Sequence, residues 1–187
     1  DGDTVDITNV NRQLPALHST VGMPKVHVVG DRLMDINPEL NLTRVQEFLS
    51  PERAYELVTE DFDYVLDCID SITPKVTLLS TALQYNLPIV SSMGAGGKVD
   101  PSQIKVTDIS KTYICNLAKY VRKRLQSMGI KKGLKVVFSP EKADQDKIIV
   151  TEKAFPKKSI IGTLSYMPAI FGCTVASVVI RDLMVKD

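Results

Sequence analysis

After Gly22 the apolar residues Val26, Val29, Leu33 and Ile36 recur at helical spacing. Pro24 occupies a first-turn position and Asn37-Pro38 ends the run, so the pattern predicts an amphipathic helix. Residues 42–48 are rich in apolar and β-branched side chains and are expected as a strand. Ser50-Pro51 restarts a helix to about residue 58, and Tyr64-Val65-Leu66 is a short run suited to a buried strand. Thr73-Pro74 opens another helix, with Val76, Leu79 and Leu83 on one face. Pro88-Ile89-Val90 is the next strand and runs into Gly94-Ala95-Gly96-Gly97. Strands alternating with helices predict an α/β fold whose parallel sheet is joined by crossover helices.

Beyond Gly97 the rhythm changes. Residues 104–106 and 136–138 are expected as strands, 117–128 as a helix, 140–147 as a polar loop and 169–180 as an apolar helix. No internal repeat or low-complexity stretch interrupts the pattern. With 187 residues and 44% hydrophobic content, the size suits one domain with a substantial core better than two.

Charge adds little globally, because 23 basic residues against 22 acidic ones leave a net charge of +1 and no overall pull toward nucleic acid or membrane. Locally the balance is different. Residues 111–135 contain Lys111, Lys119, Arg122, Lys123, Arg124, Lys131, Lys132 and Lys135 and no acid. Leu117, Val121, Leu125 and Met128 form an apolar stripe on the same helix, so the helix can dock while its basic side faces phosphates or solvent. Residues 159–180 carry no charge and are long enough to cross a bilayer. Their Gly, Ser, Thr and Pro content favours a buried or dimer-interface helix, so no membrane is expected.

Cys68, Cys115 and Cys173 are odd in number and contain no C-x-x-C pair. This suits reduced thiols in a cytoplasmic protein and argues against a disulfide framework or a zinc knuckle. The amino-terminal residues DGDTVDITN have neither a basic nor an apolar leader pattern and no initiator Met, which suggests a trimmed chain.

In an open parallel sheet, ligands meet the carboxyl ends of strands. Polar residues gather in residues 1–25, with Asp1, Asp3, Asn9, Arg12, Gln13 and Lys25, and again at Asp67-Cys68-Ile69-Asp70-Ser71. Arg12 and Lys25 could hold phosphates, Asp70 could hold Mg²⁺, and Asp1 could accept ribose hydroxyls. Taken singly, each reads more simply as a solvated charge or a helix cap. His18 and His27 have no evident partner, and the three thiols show no neighbour that would lower their pKa.

The order of the motifs is more specific than any one residue. Asp1-Gly2-Asp3-Thr4-Val5, Thr8-Asn9-Val10-Asn11-Arg12-Gln13, Val21-Gly22-Met23-Pro24-Lys25 and Asp67-Cys68-Ile69-Asp70-Ser71 together resemble the ubiquitin-activating-enzyme-like adenylation family that includes ThiF and MoeB. The run from Ser91 to Asp108, followed by Lys111-Thr112, resembles the branch that uses ATP to cyclise N6-threonylcarbamoyladenosine on tRNA. The resemblance is good over about residues 1–138, looser over the last helix and poor over 140–158.

It implies a Rossmann-like, mostly parallel sheet flanked by helices and incomplete at the N-terminus. Residues 1–97 would form the nucleotide-binding part and 98–187 a substrate and dimerisation part. ATP and Mg²⁺ would be the cofactors, with Asp1 on the ribose, Asn9, Arg12 and Lys25 on the phosphates and Asp70 on the metal. Asp3, Gln13 and Ser71 belong to the same nucleotide-binding motifs. Arg12, Lys25 and Asp70 would carry the chemistry through positioning and charge neutralisation. Lys119, Arg122, Lys123 and Arg124 would meet tRNA.

The family's glycine-rich phosphate loop would precede Asp1, and Gly94 to Gly97 lies too late to replace it. The chain is therefore expected to be a fragment of a longer homodimeric enzyme, with little activity alone. The competing expectations are a carrier-protein adenylating enzyme, a role the missing C-x-x-C pairs disfavour, or a non-catalytic module that binds tRNA or a sulfur-transfer partner.

Overall fold

The computed structural model describes residues 1–58, 62–142, 148–150 and 159–185, and the chain clusters as two units, Asp1–Ser50 and Pro51–Asp187.

In the first unit, Val5 is buried and exchanges main-chain hydrogen bonds with the turn at Gly22, donating to Met23 O and accepting from Gly22 N, both at 2.8 Å. Gly22 sits at φ +87°, where an L side chain would be strained. A one-turn 3-10 helix, Ile7–Asn9, is capped reciprocally: Asp6 Oδ1 accepts from Thr8 N at 2.8 Å, and Asn9 Oδ1 accepts from Asp6 N at 3.1 Å. Helix α1, Lys25–Ile36, follows Pro24 as its spacing predicts. Its apolar stripe is largely open, with Val29, Leu33 and Ile36 all exposed.

Residues 42–48 do not form the expected strand. They run beside Asp1 and α1 instead: Val45 O accepts from Asp1 N at 3.1 Å, and Arg44 crosses Gly30 to reach Asp31 Oδ1 at 2.6 Å. A strand is defined by its ladder, and β-branched composition alone cannot supply one.

The second unit carries the sheet. Helix α2, Pro51–Val58, precedes β1, Val65–Asp67; helix α3, Ile72–Gln84, leads to β2, Ile89–Ser92. Strand β3, Lys105–Asp108, helix α4, Asn116–Ser127, and β4, Lys135–Phe138, complete the core. The sheet order is β1-β2-β4-β3. The pairs β1–β2 and β2–β4 are parallel, and β3 runs antiparallel on the β4 edge. A separate antiparallel pair, β5 (Ile148–Val150) and β6 (Ser159–Ile161), precedes the last helix, α5, Tyr166–Met184. Of the expected loop at 140–147, residues 143–147 lie outside the described residues, as do 151–158.

Strand alternation sorts the core into two layers. Ile89, Val136 and Phe138 join Val76, Leu79, Ala118, Val121 and Leu125 from α3 and α4 on one face. Val90 and Val137 point the other way, into Met167, Phe171, Val175 and Val178 of α5. Helix α4 thus buries Val121 and Leu125 as expected, whereas Met128 lies past its end and is half exposed. Helix α5 begins earlier than expected, with Pro168 tolerated in its first turn. It is, among the described residues, the one helix long and apolar enough to cross a membrane.

A polar clasp fixes α5 to the sheet. Asp182 accepts from Lys135 Nζ at 2.5 Å and from Tyr64 Oη at 2.7 Å. The Lys135 bond, then the Tyr64 bond, hold the Asp182 carboxyl below its ordinary value of 3.8, while burial and the same carboxylate push the Tyr64 phenol up. A depressed folded-state pKa stabilises above the ordinary value and is lost as pH falls through the folded one. Asp182→Asn is therefore expected to lower the urea midpoint near neutral pH and to flatten its acid limb below pH 3.8, measured by circular dichroism.

Candidate active site

At the carboxyl edge of the sheet, β1 ends in Asp67 and β2 in Ser91-Ser92, paired neighbours in the parallel ladder. The Asp67 and Lys75 side chains are fully buried and form an ion pair at 2.6 Å. Sequence reasoning missed this pair, because Lys75 lies among the polar residues of an α3 turn and nothing in composition marks a lysine as internal. Asp67 is satisfied on its other sides by Ser91 Oγ, which donates at 2.5 Å, and by Ile69 N at 3.0 Å. Lys75 Nζ also donates to Ile69 O and to Ser92 O, each at 2.9 Å.

The turn so held carries Asp70 and Ser71 to the start of α3, where Ser71 is the N-cap residue and its hydroxyl lies 3.4 Å from Asp70 Oδ1. Asp70 is exposed. A single accessible carboxylate at a strand end fits Mg²⁺, which keeps several waters and shares its remaining ligands with phosphates. Among the described residues no group of three His, Cys, Asp or Glu side chains could hold a metal on its own.

The segment after β2 is held from three sides. Met93 N donates to Val137 O at 2.8 Å, Gly97 N to Gly162 O at 2.8 Å, and Tyr166 Oη to Val99 O at 2.7 Å. The Glu141 carboxylate accepts from Val99 N and Asp100 N, both at 2.9 Å. Lys98 is buried beneath, donating to Glu141 O at 2.5 Å. Burial pulls its pKa down, against the opposing pull of Cys115 and Glu141.

In the first unit, Lys25 Nζ pairs with Asp3 Oδ2 at 2.8 Å, and Asp1 Oδ1 accepts from Asp3 N at 2.9 Å, so three residues of the sequence motif meet. Arg12 is turned onto Thr8 O at 2.8 Å and Asn11 Oδ1 at 2.9 Å. Asn9 is buried in the capping turn, and Gln13 follows it in the same loop, its N–H on Asn9 O at 2.9 Å. A hollow of about 270 Å³, lined by Asp1, Lys25 and the apolar side of α1, adjoins this group. That is below the roughly 300–1,000 Å³ of ordinary ligand pockets.

On α4, Lys119, Lys123 and Arg124 are exposed, and Arg124 donates to Thr73 Oγ1 at 3.2 Å. Arg122 is half-buried and spends its guanidinium on Thr112, donating to the carbonyl at 2.6 Å and to the hydroxyl. It ties α4 to the preceding 3-10 turn, Ile109–Lys111. Cys115 is buried, while Cys68 and Cys173 are exposed.

An open, mostly parallel sheet with helices on both faces and polar turns at its strand ends defines a Rossmann-like α/β protein. The ThiF family model matches residues 1–186, and the chain belongs to this family. It is 40% identical over 194 residues to the tRNA threonylcarbamoyladenosine dehydratase of Bacillus subtilis, with all of this chain and 76% of that relative covered. The solved structure of Escherichia coli tRNA N6-threonylcarbamoyladenosine dehydratase, TcdA, in complex with ATP superposes with TM-score 0.89 at 35% identity. It covers 100% of this chain and 74% of that one. The same enzyme in complex with AMP gives TM-score 0.87 at 35% identity, with the same coverage.

Cys68, though exposed, has its pKa raised by the surrounding protein and by the Asp67 carboxylate, with Lys75 pulling the other way. Its thiolate population near neutral pH is correspondingly small. Iodoacetamide should label Cys68 more slowly at pH 8 than it labels a free cysteine, read by mass spectrometry of the tryptic peptide.

Proposed function

We propose that the protein is an ATP-dependent tRNA-modifying enzyme that cyclises N6-threonylcarbamoyladenosine with net loss of water, through a carboxyl adenylate. The observation that carries this reading is the full-chain likeness to an ATP-bound enzyme of that activity, at TM-score 0.89 and 35% identity. Residues 1–97 are assigned to nucleotide binding and residues 98–187 to substrate and dimer contacts.

ATP supplies the activating group: a carboxylate oxygen of the threonyl moiety bonds to the α-phosphorus, pyrophosphate leaves, and the carbonyl carbon becomes open to attack. Ring closure then forms a bond from a neighbouring atom of the same modified base to that carbon, and AMP departs with the former carboxylate oxygen. No protein nucleophile is needed. The chain's task is to bind, orient and neutralise.

Asp1 is assigned to the ribose hydroxyls, and Asn9, Arg12 and Lys25 to the phosphates, with Asp3, Gln13 and Ser71 supporting them. Lys25 and Arg12 hold internal partners in the free protein, Asp3 and Thr8 respectively. Binding therefore exchanges those contacts for phosphate oxygens. Asp70 is assigned to hold Mg²⁺, which when bound would supply positive charge against that of the leaving pyrophosphate.

Lys119, Lys123 and Arg124 suit tRNA phosphates, and Arg122 contributes by holding the helix that presents them. Helix α5 is assigned to the core and a homodimer interface. Its buried stripe lies on Val90 and Val137, while Ile180, Leu183 and Met184 remain exposed. The protein is assigned to the cytoplasm together with its tRNA substrate. A sulfur-transfer protein is a further candidate partner.

The decisive experiment is ATP-dependent pyrophosphate release with tRNA bearing threonylcarbamoyladenosine, followed by mass analysis of the base. Release with loss of one water supports the reading; release driven by a carrier-protein C-terminus instead overturns it. Asp70→Asn is expected to abolish release while the circular dichroism spectrum is unchanged. Charge reversal at Lys119 and Lys123 should weaken tRNA binding and reduce the slope of log affinity against log salt by roughly 0.9 for each phosphate no longer neutralised. Parental affinity and slope in a filter-binding titration would remove α4 from the interface.

A further inference from the structure

The Lys75 side chain is fully buried, and its charge is matched within the protein by Asp67. Taking two opposite charges out of water is unfavourable, and apolar side chains of similar volume often hold a core equally well. The surroundings of α3 invite such a replacement, since Val76, Leu78 and Leu79 of the same helix are also buried. Packing alone therefore does not account for a lysine here.

An apolar side chain could not bond main-chain oxygens in two different loops. The three ammonium protons of Lys75 go to Asp67 Oδ2 at 2.6 Å, Ile69 O at 2.9 Å and Ser92 O at 2.9 Å. Ile69 immediately precedes Asp70, and Ser92 immediately precedes Met93 and the glycine-rich segment. The Asp67 carboxylate orients the same ammonium while receiving Ser91 Oγ from β2 and Ile69 N from the Asp70 turn. The bonds of the cluster join the end of β1 to itself, to the end of β2 and to α3, and join α3 to the end of β2.

We propose that Lys75 is a positioning residue: its ammonium, set by Asp67 and Ser91, locks the turn bearing Asp70 to the segment that leaves β2. The proposal rests on the assignment of Asp70 to the metal. Lys75 does not touch substrate; it acts through the backbone of residues 69 and 92. Its consequence is that the carboxylate and the 93–97 segment move as one body, so loosening the lysine shifts metal affinity and turnover together while leaving nucleotide affinity without metal almost untouched.

The test uses the intact protein with two variants. Asp67→Asn/Lys75→Met removes both charges at nearly constant volume, so no unpaired charge is left buried. Ser91→Ala removes one hydroxyl from the network. For the double variant we expect a cooperative unfolding transition and an ATP affinity without metal close to the parent's. The Mg²⁺ concentration for half-maximal pyrophosphate release should rise about tenfold, as for the loss of groups that orient metal ligands. kcat should fall about 100-fold with little change in KM for ATP, as for an ångström-scale misplacement.

Independently of activity, amide hydrogen exchange should accelerate in residues 67–71 and 92–97 together. A folded double variant with parental Mg²⁺ dependence, kcat and exchange overturns the proposal. Should the double variant not fold, Ser91→Ala decides: a raised Mg²⁺ requirement supports the role, and a parental profile overturns it. Asp70→Asn is run alongside to separate the two assignments. If it keeps the parental Mg²⁺ response, the metal assignment fails, and the exchange data judge the coupling by themselves.

Discussion

A fully buried, ion-paired lysine is the constraint on which the carboxyl edge of the sheet depends. Parallel strands end where their ladder ends, and beyond that point each loop would be free to choose its own path. Lys75 removes that freedom for two adjacent loops at once, because its three protons must all be satisfied inside the protein. Asp67 is bound in turn by Ser91, so an acid at the end of one strand, a hydroxyl on the next and a lysine on the intervening helix form one closed set. Removing Asp67 or Lys75 alone would leave the other charge buried and uncompensated, which costs more than an ordinary hydrogen bond contributes.

The opposite edge is handled with cheaper means. Lys135 opens β4 and Tyr64 precedes β1, and both reach Asp182 near the end of α5. Those groups are partly exposed, so water can replace either partner and the clasp costs little to open. The difference suits the two ends of a parallel sheet: ligands meet the carboxyl edge, where geometry must persist, while the amino edge only has to keep a helix in place. Between them, the stripe of Met167, Phe171, Val175 and Val178 supplies the apolar area that holds α5 against the sheet.

Much of this was legible in the chain. Helices α1 to α4 and strands β1 to β4 were visible because their apolar periods, prolines and turn residues agree with one another, which is what makes a local pattern a reliable one. The Asp70 turn was visible because an acidic motif directly follows a strand run. Three things were not. Residues 42–48 have strand composition, but a ladder is a property of neighbours. Lys75 looks like any helix-surface lysine, since burial of a long polar side chain depends on acceptors that only tertiary structure brings together. Arg122 looked like a phosphate ligand, and its local role on Thr112 depends on a turn ten residues away in sequence.

The chemistry proposed for the site explains why its firmest contacts lie in the backbone. An intramolecular ring closure has its nucleophile supplied by the substrate, so a reactive side chain would add only the risk of a side reaction. The thiol nearest the site, Cys68, is shifted away from its reactive form. What such a reaction does need is a fixed geometry around an activated carboxyl group, because misplacement by about an ångström can cost 100-fold in rate. The 93–100 segment is accordingly clamped by groups that form no part of the chemistry: Val137 and Gly162 at the main chain, Glu141 on two successive amides and Tyr166 on a carbonyl. Lys98 is kept beneath it, its pKa pulled down by burial, and donates to Glu141 O rather than to solvent. Rigidity here is distributed over many ordinary hydrogen bonds, and Lys75 is the point at which that rigid segment is joined to the turn bearing Asp70.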